Sequence, residues 1–400
     1  MNLSVQIFAS LVLSVVVGLV LGDGAIGPVK TWVAPVGTMF INLIKMMIVP
    51  VVLCSLVVGM TSMGDLKKLG RIGMKTVGFY MVTTAIAIVI GFAVASVVQP
   101  GIGMALPGEA APKVKEAPTI MQVFVNMIPT NPIASMAKAD ILPVIIFSLF
   151  LGAGIISVGG SRSKLLINLF DAGAEVCYKI IAMIMRLAPL LPVVVQNGPK
   201  VLLPLLSVII AMAVGCTIHA VCVYSSVAAV VGHMSPVRFF RGMAEAMVIA
   251  FTTCSSAGTL PVNMKNTEEK LGVKRDIVSF VLPLGATINM DGTALYMGVC
   301  SLFIANVFGI HLTMDQMMMI VLTGTLASIG TAGVPGAGLI MLAMVLQSVG
   351  LPLEGLALVA GIDRVLDMFR TTLNITGDAA VAVAIDATEK SVPTQLEITE

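Results

Sequence analysis

Residues 361–378 set a row of charges into a strongly apolar stretch: Gly361-Ile-Asp363-Arg364-Val-Leu-Asp367-Met-Phe-Arg370-Thr371-Thr-Leu-Asn374-Ile-Thr-Gly377-Asp378. On an α-helix, at 100° per residue, Asp363, Asp367, Arg370, Asn374 and Asp378 fall within an arc of roughly 80°. Ionisable groups at membrane depth cost about 2.5–3.5 kcal/mol each on insertion scales. Such a face therefore turns toward protein or a cavity and marks a substrate or ion path. Three acids and one base suit a cation bound together with an anion. The plainer reading is a set of structural ion pairs, but the chain offers too few buried bases to pair with these acids.

The surroundings are those of a membrane protein. The 400 residues are 58% hydrophobic and 11% charged, against about 25% charged in soluble domains. A net charge of +2 is too small for nucleic-acid binding. The cysteines at 54, 177, 216, 222, 254 and 300 show no metal-ligand spacing and read as free packing residues. His219, His233 and His311 are scattered, again without metal-site spacing. The apolar run at 3–21 has almost no basic flank and no clear cleavage site, so it reads as a retained first span.

A span needs about 20 apolar residues. Candidates are 3–22, 37–62, 74–99, 118–158, 165–194 and 200–232, the fourth broken by Pro129, Pro132 and Pro143. Basic residues collect in alternate loops: Lys67, Lys68, Arg71 and Lys75 in 63–76; Arg162 and Lys164 in 159–164; Arg238 and Arg241 in 233–242; and Lys265, Lys270, Lys274 and Arg275 in 264–276. These loops and the N-terminus are expected on the cytoplasmic side of a multi-pass protein. The Pro/Gly-rich 100–117 is expected to be an external linker.

After Arg241 the pattern changes. Apolar residues 243–252 lead into Thr253-Cys-Ser-Ser-Ala-Gly-Thr-Leu-Pro261 and then a basic loop, which predicts a re-entrant hairpin entered from the cytoplasm. The pattern recurs at 316–351 around Ser328-Ile-Gly-Thr-Ala-Gly-Val-Pro-Gly-Ala-Gly338, this time dipping in from outside. Between them an apolar span is interrupted by Gly285-Ala-Thr-Ile-Asn-Met-Asp-Gly-Thr293. Non-helical backbone at this depth must line a cavity or be buried in protein. Opposed hairpins beside a charged helix mark an inverted repeat around a midplane site. Helix N-termini there attract anions, and unwound carbonyls can coordinate cations.

The strings Ser-Ser-Ala-Gly-Thr-Leu-Pro, Leu-Pro-Leu-Gly-Ala-Thr-Ile-Asn-Met-Asp-Gly-Thr-Ala-Leu-Tyr, Ser-Ile-Gly-Thr-Ala-Gly-Val-Pro-Gly-Ala-Gly and Asp-Arg-Val-Leu-Asp-Met-Phe-Arg-Thr-Thr-Leu-Asn-Ile-Thr-Gly-Asp resemble the dicarboxylate/amino acid:cation symporter family. The likeness runs over most of the chain. It implies an all-α membrane protein with the glutamate-transporter-homologue fold: eight transmembrane helices and two re-entrant helical hairpins in inverted repeats, assembled as a homotrimer in the inner membrane of a prokaryote. It implies scaffold helices 1–2 at 1–73 and transport-domain helix 3 with its linker at 74–117. Scaffold helices 4–5 follow at 118–198, a transport domain at 199–390 and a tail at 391–400. The implied activity is sodium-coupled uptake of aspartate or glutamate by an elevator-type alternating-access mechanism.

By the same resemblance, Asp367 would hold the substrate ammonium and Arg370 its side-chain carboxylate. Ser256, Thr293, Thr371, Asn374 and the backbone of Val334 and Gly338 would complete the pocket. One sodium site would use Asp378 with carbonyls of Gly285, Asn289 and Asn374. A second would use carbonyls of Thr287, Ser328, Ile329 and Thr331. A third would use Asp291, the Asn289 side chain, Tyr80, Thr83 and Thr84. Where family members carry an arginine near the site, this chain has Cys254 and Met368, which leaves the local potential more negative.

The residue types support this independently. Arginine's planar fork matches a carboxylate. Asp291, Asp363, Asp367 and Asp378 against Arg370 leave about three uncompensated charges, or roughly 8–10 kcal/mol on insertion scales. Several sodium ions held by carboxylate and carbonyl oxygens would neutralise them, and protonation is the competing solution. The resemblance favours sodium, since proton-coupled relatives often carry Asn in place of Asp378. Lys45 reads as a snorkelling or interdomain residue, Asp363 as a support for the helix network and Asp386 as solvated. A C4-dicarboxylate carrier would not need Asp367. A channel would need a continuous pore. A hydrolase using Ser255 or Cys254 with His219 lacks a histidine near the Ser-rich tip in sequence, so the expectation is a transporter and not an enzyme.

Overall fold

A computed structural model of the chain describes residues 26–62, 66–104, 125, 127–185, 202–329 and 336–389, and all regular structure among them is helical. The span expected at 3–22, most of the linker, the tip at 330–335 and the tail lie outside the described residues. The first half comprises α1 (Ile26–Ser62), α2 (Leu66–Val98), α3 (Pro132–Lys138), α4 (Ile141–Val158) and α5 (Gly160–Met185). Asn131 caps α3, its side chain accepting from the N–H groups of Ile133 and Ala134. The break in the 118–158 stretch falls at Ala139–Asp140, not at Pro143. Pro143 sits in the first turn of α4, where its missing N–H has no helical partner to lose.

The second half comprises α6 (Leu202–Ile218) continued by π-helical turns at His219–Tyr224 and Val227–Val231, then α7 (Pro236–Thr253), α8 (Ser256–Glu269), α9 (Arg275–Ile288), α10 (Asp291–Val307), α11 (Met314–Ser328), α12 (Ala337–Ser348), α13 (Gly355–Ala360) and α14 (Asp363–Thr388). The basic loops are shorter than expected. Arg162 and Lys164 lie in α5 and Lys265 lies in α8, because a charged residue at a helix end can project beyond the apolar layer while its backbone stays helical.

Among the described residues, four segments are long and apolar enough to cross a membrane: Asn42–Thr61, Ile72–Val98, Leu203–Val231 and Arg275–Val307. The most apolar 18-residue window of the last is 94% buried within the protein, against 33% for that of Leu203–Val231. The interrupted span is therefore wrapped by other helices, as its broken backbone requires. The interruption is narrower than expected. The Gly285 carbonyl still accepts from the Asn289 N–H at 2.8 Å, and only Asn289 and Met290 separate α9 from α10. The turn between α7 and α8 is equally tight. Cys254 takes a left-handed conformation (φ 53°) and Ser255 caps α8 by accepting from the Gly258 N–H at 3.0 Å.

Helix α1 packs on α4 and α5. Helix α2 packs along α10 and against α6 and α11, and α14 packs on α7, α9 and α10. The α2–α10 crossing is close because glycines face each other: a Cβ on Gly298 would lie 2.6 Å from the Ile88 carbonyl oxygen, and one on Gly91 2.5 Å from that of Leu295. Gly298→Val should therefore cost about 1–3 kcal/mol by overpacking. Gly78→Ala on the same α2, where a Cβ meets nothing within 4 Å, should be neutral or slightly stabilising. Thermal unfolding of the detergent-solubilised variants separates the two; equal melting temperatures would remove the glycine contact from the fold's requirements.

Candidate functional site

Helix α14 brings its charged face against the broken span. Arg370 and Asp363, Asp367 and Asp378 are all buried. The Arg370 Nη1 group donates to Asp363 Oδ1 at 2.8 Å, and Nε donates to Asp367 Oδ1 at 3.3 Å. Nη2 lies 3.0 Å from the same Asp367 oxygen but off the hydrogen-bond axis, and Asp367 Oδ2 has no hydrogen-bond partner among the described residues. The guanidinium carbon sits 4.3 Å from the Tyr296 ring centroid, a cation–π contact inside the protein. A Cβ on Gly338 would collide with the Arg370 fork, so a glycine is required there for α12 to approach. The fork is thus held between acids with its Nη2 group unspent, beside an acid with a bare oxygen.

Two residues of the pocket are placed by α14 itself. The Thr371 hydroxyl donates to Asp367 Oδ1 at 3.3 Å, and Asn374 Oδ1 accepts from the Gly292 N–H at 2.7 Å in the first turn of α10. Thr293 is buried in that same turn, and Ser256 is buried in the first turn of α8. The start of α14 meets the tip between α7 and α8, where Arg364 Nη2 donates to the Thr253 carbonyl at 3.2 Å. Val334 and Thr331 lie outside the described residues.

The candidate cation ligands form two groups. In the first, the Asn289 side chain donates from Nδ2 to Asp378 Oδ1 at 2.9 Å and lies 3.2 Å from the Asn374 carbonyl. Its own Oδ1 has no partner among the described residues. Gly285 lies so close to the Asp378 carboxylate and the Tyr80 hydroxyl that a Cβ would overlap both. Asp378, Asn289, Asn374, Gly285 and Tyr80 are therefore one cluster rich in oxygen. In the second, Asp291 is buried at the start of α10 and its Oδ1 accepts from the Thr84 hydroxyl at 2.7 Å. Thr83 is buried beside Thr84, but its hydroxyl bonds back to the Tyr80 carbonyl at 3.2 Å. Thr287 and Ser328 likewise donate their hydroxyl protons to carbonyls of their own helices; Ile329 is buried at the end of α11.

Three residues were not expected at this site. Tyr224 donates its O–H to Asp291 Oδ2 at 2.8 Å, and His219 Nε2 lies 3.3 Å from the same oxygen. Tyr296 stacks on Arg370. Tyr296 follows Thr293 by three residues, a spacing that shares a helix face, so the sequence held a signal for it. Lys45 lies at the surface, 3.9 Å from Glu354, and Asp386 is partly exposed with an oxygen 3.4 Å from the Lys274 N–H.

The sodium:dicarboxylate symporter family model matches residues 3–388, and the chain belongs to that family. A proton/glutamate-aspartate symporter of Escherichia coli (strain K12) is 37% identical over 96% of this chain and 92% of its own length. A proton/sodium-glutamate symport protein of Geobacillus stearothermophilus is 34% identical over 97% and 94%. A C4-dicarboxylate transport protein of Bacillus subtilis (strain 168) is 31% identical over the same shares. The chain is a membrane transporter of the symporter class.

Removing Arg370 leaves Asp363 and Asp367 buried without their cation. Arg370→Met should destabilise the substrate-free protein by about 3–5 kcal/mol, and adding Asp363→Asn should recover part of it. Thermal unfolding in detergent checks both. A single variant melting with the wild type would show that these ion pairs do not hold the site together.

Proposed function

We propose that this protein takes up aspartate or glutamate together with sodium. The arrangement that carries the reading is the pairing of Arg370 with Asp367 on one helix face, next to the oxygen cluster of Asp378, Asn289 and Asn374. An acidic amino acid brings two carboxylates and one ammonium. Its side-chain carboxylate displaces the internal acids from the Arg370 fork, and its ammonium takes Asp367 Oδ2. Its α-carboxylate rests on the first-turn N–H groups of α8 and on the backbone around Gly338. Sodium then meets Asp378 and the unpaired Asn289 Oδ1, a hard cation on oxygen ligands. The proton/sodium-glutamate relative supports this reading.

The same reading gives α1 and α3–α5 to a static scaffold, and α2 from residue 74 onward with α6–α14 to a mobile transport domain. The packing of α1 on α4 and α5, and of α2 on α10, supports that division. It takes an elevator-type motion, eight spans with two hairpins, a homotrimer and the inner membrane from the family resemblance. A proton-coupled carrier is the second reading, favoured by the E. coli relative's name; a C4-dicarboxylate carrier is weaker, because Asp367 would then have no ammonium to meet.

Isothermal titration tests the substrate assignment. Wild-type protein should bind aspartate in sodium and lose binding when choline replaces it. Arg370→Cys should lose aspartate affinity by roughly 30- to several-thousand-fold, since a desolvated charged pair is worth about 2–5 kcal/mol. It should gain weak binding of serine through Asp367. Aspartate bound by Arg370→Cys with wild-type affinity would contradict the assignment.

A further inference from the structure

The π-helical turn at His219–Tyr224 points two buried rings at one oxygen. In an α-helix, residues five apart differ by about 140° around the axis and cannot share a face. A π-helical turn closes its hydrogen bonds five residues apart and brings them together. His219 and Tyr224 accordingly meet edge to face, their centroids 4.8 Å apart and their planes at 84°. Both are fully buried.

Both rings reach Asp291 Oδ2, the tyrosine hydroxyl at 2.8 Å and His219 Nε2 at 3.3 Å. The hydroxyl also lies 3.2 Å from the Leu373 carbonyl. It has one proton, and the closer, charged acceptor takes it. Gly377 of α14 makes room for this approach. A Cβ there would lie 2.5 Å from the Tyr224 oxygen and 2.6 Å from Asn289 Nδ2, the group that holds Asp378. Neither His219 nitrogen makes an aligned hydrogen bond among the described residues, but Nε2 stands within hydrogen-bond distance of Oδ2, so the ring presents its polar edge to the carboxylate that Tyr224 bonds. The other oxygen, Oδ1, meets only the rotatable hydroxyl of Thr84 among the described residues. That hydroxyl can turn its proton away and present a lone pair instead.

We propose that Tyr224 and His219 are positioning residues for a second coupled cation, distinct from the one at Asp378: they pin Oδ2 of Asp291 so that Oδ1 and the Thr84 hydroxyl are held in place to receive it. The inference rests on the sodium reading above and deepens it. A ligating carboxylate is itself oriented by outer hydrogen-bond partners, and losing such a partner typically lowers metal affinity by about 10–100-fold. The two rings hydrogen-bond neither Asp367 nor Arg370 among the described residues, so their effect belongs to the cation and not to aspartate.

The test is a sodium titration of aspartate binding by purified, full-length protein. Tyr224→Phe keeps the ring and removes only the hydroxyl. His219→Leu removes the polar edge, and His219→Gln restores a nitrogen of similar reach. Tyr224→Phe and His219→Leu should each raise the half-saturating sodium concentration by roughly 10–100-fold. Aspartate affinity extrapolated to saturating sodium should move less than about twofold. His219→Gln should stay close to wild type, and the melting-temperature rise caused by sodium alone should shrink only in the two impaired variants. An unchanged sodium titration for Tyr224→Phe overturns the proposal while leaving sodium coupling intact. So does a loss of sodium-free stability and aspartate affinity without a sodium shift, which would mark a purely structural role. His219→Gln as impaired as His219→Leu removes the histidine from the assignment. A wild type whose aspartate binding ignores sodium overturns the sodium reading and this inference with it.

Discussion

Among the described residues of the site, four buried carboxylates stand with one buried guanidinium, which pairs with only two of them, and the rest of the site is arranged around that imbalance. Arg370 lies against Asp363 and Asp367. Asp378 is met by the Asn289 amide, and Asp291 by the hydroxyls of Thr84 and Tyr224 and the ring of His219. Neutral donors soften a buried negative charge but do not cancel it. The site is therefore poised for cations; on the proposed reading the substrate's ammonium and the coupled ion would both lower its energy, and each would favour the other's binding because they share the same electrostatic deficit.

The broken helices follow from the same requirement. A continuous helix offers its backbone nothing but its own hydrogen bonds. Starting α8 at Ser256 and α10 at Asp291 places helix N-termini, with free N–H groups, beside the charged face of α14. Such ends survive at membrane depth only inside protein, and the α9–α10 span is accordingly the most enclosed of the four long apolar segments. Glycines set how closely the parts approach: Gly298 lets α10 lie on α2, Gly338 lets α12 reach the Arg370 fork, and Gly285 leaves room for Asp378 and Tyr80.

Much of this was legible in the sequence because it rests on short-range periodicity. The charged face of α14 needs only the helical repeat, and the tight turn at Cys254–Ser255 needs only the Ser/Gly/Pro string between a half-length apolar arm and a basic loop. The pairing of Arg370 with Asp363, two turns earlier, could also have been read, since helical side chains lean toward the N-terminus. The interruption is narrower than the 285–293 string suggests, because Gly and Thr there mark close packing as well as broken backbone, and the helix persists through Ile288. The contribution of His219 and Tyr224 was hidden for a different reason. It depends on a π-helical turn, and no α-helical pattern places residues five apart on one face.

Uptake of radiolabelled aspartate into proteoliposomes, with each ion gradient imposed alone at clamped voltage, tests the central claim most directly. An inward sodium gradient at symmetric pH should drive accumulation, and a proton gradient with choline in place of sodium should not. Robust accumulation on the proton gradient alone would show that the buried carboxylates are neutralised by protons, contradicting the sodium-coupled account.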